Sequence, residues 1–457
     1  MSVFVNRTLN MKKIEAIGFD MDYTLVQYKT EAFEEFVHGL VAEKMVQTLG
    51  YPKDVLDLKF NFKLVIQGLI IDRHHGNLLQ VSRYGKVKIA HHGLTPLTYD
   101  QQQKLYKNKV IDLSSAQYQS MDTNFSVSNG VLYAQLVDLK DKGMDLPDYE
   151  KLSKDIKYAI DLAHSDGSLK NYAVENIEKF IIQDKNTVKL LERFKRFGKK
   201  LIIITNSEWW WTEKLMDHAI TPFLEEHKDW KELFDITICL AMKPGFFNSN
   251  NMFLKVDPSN GLMSNHVGPI TNGFYQGGYA GKLQEDLGLD GEQILYLGDH
   301  IYGDVLTLKK TFNWRTALVL EPLAEELLAI KNSSSIQKVI DKLMAEKALL
   351  ERKLNLLELK KHEKPEEFKK EDLGKIYSDI DKINGEISEN LEKYNSYFNP
   401  YWGEMMRAGQ EESRFADQVE KYACIYMSKV SDLIEYTPRT YFRPIKRIMA
   451  HEICEED

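Results

Sequence analysis

Cysteine is scarce in this chain: there are three in 457 residues, Cys239, Cys424 and Cys454, odd in number and far apart. Such spacing supports neither a disulfide framework nor a zinc site, so all three are expected to be reduced thiols. No apolar run approaches the ~18 residues of a membrane span, and the opening MSVFVNRTLNMKK has no apolar stretch of the kind a secretory leader needs. A cytoplasmic protein that meets no membrane is therefore expected. A formal net charge of −8 argues against a general affinity for nucleic acid polymers, which demands clustered Lys and Arg. A single nucleotide is not excluded, because its charge can be met locally by a metal ion and one or two cations. Internal repeats of fixed period are also absent.

What is present is enough apolar content, 43%, for sizeable cores in two or more domains. Four short stretches stand out in order: Asp20-Met-Asp-Tyr-Thr24 after IEAIGF, Thr205-Asn-Ser207 after LIII, Lys243 in AMKPGFF, and Gly298-Asp-His-Ile-Tyr-Gly-Asp304 after ILYL. A D-x-D-x-T pattern alone arises by chance in roughly one chain in ten of this length. Context makes it informative. Three of the stretches follow β-branched apolar runs of the kind that form buried parallel strands. Ligands of open α/β sheets bind at the carboxyl ends of such strands, so residues distant in sequence can converge on one crevice.

The residue types suit phosphoryl transfer. A phosphate monoester carries about two negative charges, and a carboxylate such as Asp20 cannot approach phosphorus until they are neutralised. Magnesium prefers hard oxygen ligands and keeps several waters, so Asp20, the carbonyl of Asp22 and Asp299 form a sufficient set. Asp304 is placed to orient a metal-bound water or Lys243. Lys243 adds a fixed positive charge. Thr205, with Asn206 and Ser207 after it, can donate hydrogen bonds to the same group where strand gives way to helix.

These motifs resemble those of the haloacid dehalogenase superfamily of phosphohydrolases. Longer stretches, among them GLIIDRHHGNLLQVSRYG, AIDLAHSDGSLK, TNSEWWWTEKLM, LYLGDHIYGDVL and FNPYWGEMMRAG, resemble the cytosolic purine 5′-nucleotidase family from about residue 10 to 451. The resemblance implies an aspartyl-phosphate mechanism. In it Asp20 is the nucleophile and Asp22 the general acid and base, and Thr205, Lys243 and Asp304 assist. It implies magnesium, IMP or GMP as substrate, and transfer of the phosphoryl group to a nucleoside as well as to water. Matched by position, Phe125 would stack on the base, with Lys157, Asp161 and Lys170 as polar contacts. Relatives commonly carry arginine at the place of Lys157 and tyrosine at that of Ser165, and lysine cannot reproduce arginine's planar fork. An aromatic at the place of Tyr302 helps form an effector site in relatives, so a nucleotide effector is open. A homo-oligomer, dimer or tetramer, is expected from the family.

The expected architecture is α/β: a doubly wound, Rossmann-like parallel sheet of the haloacid dehalogenase fold, with an inserted α+β cap and a C-terminal helical extension. Residues 1–30 and 186–330 would form the core, 31–185 the cap, and 401–457 a segment packing back on the core with an acidic tail. In 331–400, Leu343, Leu350 and Leu357, and then Ile376, Ile380, Ile383 and Ile387, mark apolar stripes on two helices of a hairpin. Trp209, Trp210 and Trp211 read as core packing, and the pairs His74-His75 and His91-His92 as non-chelating, since neighbours in a strand point to opposite faces. Two alternatives remain: a phosphatase of the same superfamily for another metabolite, and a non-enzymatic nucleotide sensor or helical scaffold.

Overall fold

The structure is a computed structural model that describes residues 2–367, 370–445 and 452; Cys454 and most of the acidic tail lie outside them. Among the described residues the main sheet has ten strands. Seven run parallel: β1 (Ala16–Phe19), β2 (Lys200–Ile204), β3 (Ile236–Cys239), β4 (Gly273–Gly277), β5 (Ile294–Gly298), β6 (Arg315–Val319) and β7 (Ile425–Met427), in the order β7-β6-β5-β1-β2-β3-β4. Antiparallel strands close the edges, Val3–Val5 on β7, and Phe253–Val256 with Met263–Asn265 beyond β4. The β-branched residues of β2 and β3 are buried because helices cover both faces of a parallel sheet.

The chain leaves β1 in one direction through β2 and β3, then returns to lay β5 and β6 on its other side. That reversal opens a crevice at the carboxyl ends of β1 and β5. β7 was not anticipated. Its run Ile425-Tyr-Met427 ends the short apolar stretch 422–427, which begins where a helix ends, and pairing with β6 and Val3–Val5 makes it a strand.

The cap enters between β1 and β2 through a two-strand hinge, Gln27–Tyr28 paired with Ile181–Ile182. It contains α1 (Thr30–Leu49), α2 (Val127–Asp141), α3 (Tyr149–Ser165) and α4 (Ser168–Glu175), with a five-stranded antiparallel sheet between α1 and α2. A turn at Gly85 joins Asn77–Val81 to Val87–His92. Its φ of +73° lies in the left-handed region, and an added Cβ would meet Val110 at 2.6 Å, so glycine is required there. After β2 comes α5 (Trp209–Ala219).

Residues 324–404 form a second compact unit, built on α6 (Leu323–Glu363) and α7 (Lys370–Asn395). Within it Leu343, Ile380 and Ile387 are buried, while Leu349 and Leu356 on another face of α6 are exposed. Among the described residues no helix is long and apolar enough to cross a membrane.

Candidate active site

Asp20 follows β1 directly, and its N–H is held by the carbonyl of Leu297 on β5 at 2.8 Å. Tyr23, with φ +56°, then bends the backbone so that the N–H groups of Thr24 and Val26 both reach the carbonyl of Met21. A non-glycine residue in that region costs about 1 kcal/mol or more, and such strain concentrates at functional sites. The turn keeps Asp20 and Asp22 on one cavity of about 300 Å³, which Thr205, Asn206, Ser207, Lys243, Asp299 and Asp304 also line.

Lys243 is the centre of the charge arrangement. Its Nζ lies 2.9 Å from Asp20 Oδ1 and 2.8 Å from Asp304 Oδ1, and donates to the Tyr296 hydroxyl at 3.1 Å. Tyr296 in turn donates to the carbonyl of Ile204 at 2.9 Å, which fixes its ring. Burial works against the ammonium, yet the facing Asp20 and Asp304 hold Lys243 well above its ordinary value. Asn206 grips the same residue through its backbone: Oδ1 accepts the Lys243 N–H at 2.6 Å and Nδ2 donates to the Lys243 carbonyl at 3.1 Å.

Burial pushes the Asp20 carboxyl up to about 7 against the pull of Lys243, with Asp304 and Asp22 adding to the rise. Asp299 is raised well above the usual range by burial and by Asp20 and Asp304. Ligand atoms of Asp20, Asp299 and Asp304 lie within 4.8 Å of one another. Three crowded buried carboxylates against one lysine leave excess negative charge, and this all-oxygen set fits a hard divalent cation. The oxygens of Asp304 are already engaged, Oδ1 by Lys243 and Oδ2 by the N–H of His300 at 3.2 Å.

Thr205 is fully buried, and its Oγ1 accepts the N–H of Ser207 at 3.0 Å, which leaves its own proton for another acceptor. The Ser207 hydroxyl sits 2.7 Å from Asp22 Oδ2. Asp22 Oδ1 takes the Tyr28 hydroxyl at 2.6 Å and the Trp211 indole N–H at 3.3 Å.

The model of the 5′ nucleotidase family matches residues 3–454 of this sequence. The chain belongs to the 5′-nucleotidase family. Membership makes it a phosphoric monoester hydrolase of nucleotides. A 5′-nucleotidase domain-containing protein of Dictyostelium discoideum is 24% identical over 460 residues, which cover 98% of this chain and 74% of that one. A solved HAD phosphatase from Thermococcus onnurineus aligns with 67% of this chain and 87% of its own at 15% identity and a TM-score of 0.27.

In this 5′-nucleotidase the cap supplies Phe125 and Lys170 to the cavity. Phe125 is 36% exposed, with its ring edge-on to Tyr23 at 4.6 Å. Lys170 pairs with Glu208 and stands 5.8 Å from the Trp211 ring. Burial would raise the Glu208 carboxyl, but Lys170 holds it below the usual range. Lys157 and Asp161 are exposed and do not reach the cavity. They lie on α3, seven and three residues before His164, the α3 residue that lines it. At 1.5 Å per residue, Lys157 is about 10 Å back along the helix axis.

His164, Tyr28, Phe33, Thr123 and Trp211 also line the cavity and were not assigned from the sequence. Of the three tryptophans, Trp209 packs on Trp230 and Phe274 and Trp210 is exposed. Trp210 departs from the expectation of core packing, while Trp211 is buried as expected and in addition meets Asp22 through its N–H. The following WWW at helical spacing gives three directions, and only the fold selects one of them.

Proposed function

We propose that the protein is a magnesium-dependent 5′-nucleotidase that hydrolyses purine nucleoside 5′-monophosphates, IMP and GMP, to nucleoside and phosphate. The observation that carries the reading is one cavity lined by Asp20 and Asp22 together with Phe125, Phe33 and Tyr28, with Lys243 at 2.9 Å from Asp20. Phosphate enters against Asp20, Lys243 and Thr205, and the purine lies on Phe125.

Asp20 attacks phosphorus in line and becomes an aspartyl phosphate, while Asp22 gives its proton to the departing 5′ oxygen. Asp22 then takes a proton from the water that cleaves the aspartyl phosphate, and regains its starting state. Lys243, fixed by Asp304 and Tyr296, bears on the transferring oxygens throughout. Asp20, the carbonyl of Asp22 and Asp299 would hold Mg²⁺, which when bound neutralises phosphate charge and lets the nucleophilic carboxylate approach. A nucleoside in place of water makes the second step a phosphotransfer.

The placement of Lys157 and Asp161 away from the cavity favours a second reading, a phosphatase of the same superfamily for another phosphorylated metabolite, since the base then has fewer polar contacts. A substrate panel separates the two. Phosphate release with Mg²⁺ is measured for IMP, GMP, AMP, CMP, UMP and sugar phosphates, with Asp20→Asn as control and inosine as added acceptor. Turnover of IMP and GMP, abolished in Asp20→Asn, is the expected result, whereas preference for a sugar phosphate discards the purine substrate.

A further inference from the structure

A general acid works only if its proton points at the leaving oxygen within hydrogen-bond reach, and a free aspartate carboxyl rotates. Asp22 is not free. Its Oδ1 takes two donors, the Tyr28 hydroxyl at 2.6 Å and the Trp211 Nε1–H at 3.3 Å, while Oδ2 has the Ser207 hydroxyl at 2.7 Å. Tyr28 comes from the hinge strand Gln27–Tyr28 and Trp211 from the first turn of α5, so the two grips are built by separate parts of the chain. Tyr28 is itself held, stacked on Tyr23 at 4.5 Å and edge-on to Phe33 at 4.9 Å. Both side chains are buried.

The chemistry of the donors distinguishes the two oxygens. An indole N–H can only donate, and with the Tyr28 hydroxyl it fills both lone pairs of Oδ1, whereas Oδ2 takes the Ser207 hydroxyl alone. Oδ1 is therefore fixed as an acceptor, and Oδ2 is the oxygen that can carry a proton. We infer that Tyr28 and Trp211 are positioning residues that fix Asp22 so that the transferable proton sits on Oδ2. This rests on the reading of Asp22 as the general acid. As the bond from Asp20 to phosphorus forms and the ester P–O bond breaks, the Oδ2 proton passes to the leaving oxygen. The resulting carboxylate keeps both donors on Oδ1. In the second step Oδ2 takes a proton from the attacking water.

The test compares IMP with its analogue carrying sulfur in place of the bridging 5′ oxygen. A thiolate leaves without a proton, so only the oxygen ester needs the aligned acid. kcat/KM is read because it covers the steps up to departure of the leaving group alone. Tyr28→Phe and Trp211→Phe each keep the ring. Each is expected to lower kcat/KM for IMP about 10-fold or more, part of the 10²–10⁴-fold that a general acid supplies, and to change the sulfur ester less than about 2-fold. Equal losses on the two esters, or no loss on either, would overturn the assignment. Should one variant not fold, the other decides. If the wild type turns over p-nitrophenyl phosphate but no nucleotide, the purine reading fails separately. The comparison is then made between p-nitrophenyl phosphate, whose anion also leaves unprotonated, and the alkyl monoester the enzyme does hydrolyse.

Discussion

Glu34 illustrates how one side chain sets a pH response. It lies on α1, buried beside the apolar stripe of Phe33, Val37, Val41 and Met45, and its Oε2 accepts the N–H of Ser128 at 2.9 Å. Burial pushes its carboxyl from 4.5 to about 7. An acid whose folded value is raised ionises first in the unfolded chain. Its contribution is therefore most favourable below pH 4.5 and is lost as pH rises to 7, by about 3 kcal/mol at most. Glu34→Gln keeps the shape and cannot ionise. Its melting temperature should exceed that of the wild type at pH 8 and approach it at pH 4.5, measured by thermal unfolding; an equal difference at both pH values would mean the carboxyl is not the cause. In the sequence EAFEEFVHGL this glutamate looks like a solvent-facing residue, because what buries it is α2, almost a hundred positions later.

At the scale of elements, the cap sheet is organised around Asp72. This carboxylate accepts from Tyr106 at 2.7 Å, His75 Nδ1 at 2.8 Å, Gln117 at 3.0 Å, and the N–H groups of His74 and His75 at 3.1 and 3.3 Å. Burial would raise it, but the donors of Gln117, Tyr106 and His75 hold it below the usual range. Its stabilising contribution is thus complete above the ordinary Asp value and is lost as pH falls through the depressed one. Asp72→Ala leaves the buried Tyr106 hydroxyl and several half-buried donors without this partner and should cost about 1 to 3 kcal/mol. Chemical denaturation is the measurement, and a loss under 1 kcal/mol would show the hub to be dispensable. The sequence displays the aspartate and the histidine pairs, and excludes the histidines as chelators; that His75 instead caps Asp72 depends on a turn closed by Gln117 and Tyr106 from other elements.

For the molecule as a whole, the crowding of Asp20, Asp299 and Asp304 against one lysine means that the fold stores electrostatic repulsion a cation would relieve. Binding that favours the folded state stabilises it by about 2.7 kcal/mol when the ion is at a hundred times its dissociation constant. In a chain this long that is a rise of roughly 3 °C in melting temperature. Differential scanning of the protein in Mg²⁺ and in EDTA should show this rise, and Asp299→Asn should remove it. A rise of equal size in Asp299→Asn would mean the ion binds elsewhere. The same scale explains how the ends are secured. Val3–Val5 and β7 extend the sheet, and Leu9–Asn10 pairs with Tyr441–Phe442, so segments from both ends of the chain are part of one core.

The sequence by itself pointed to Asp20, Asp22, Thr205, Lys243, Asp299 and Asp304, which the fold brings to one cavity. Asp20, Asp22, Thr205, Asp299 and Asp304 each stand within a few residues of a β-branched strand, and strand ends of a parallel sheet converge whatever else the chain does. The tertiary structure decided what surrounds them. Tyr28 and Trp211 meet Asp22, Tyr296 meets Lys243, and His164 rather than Lys157 or Asp161 reaches the cavity. Those contacts depend on the rotation and reach of helices and hinge strands packed from distant segments, and local periodicity encodes which face of a helix is buried but not what it is buried against.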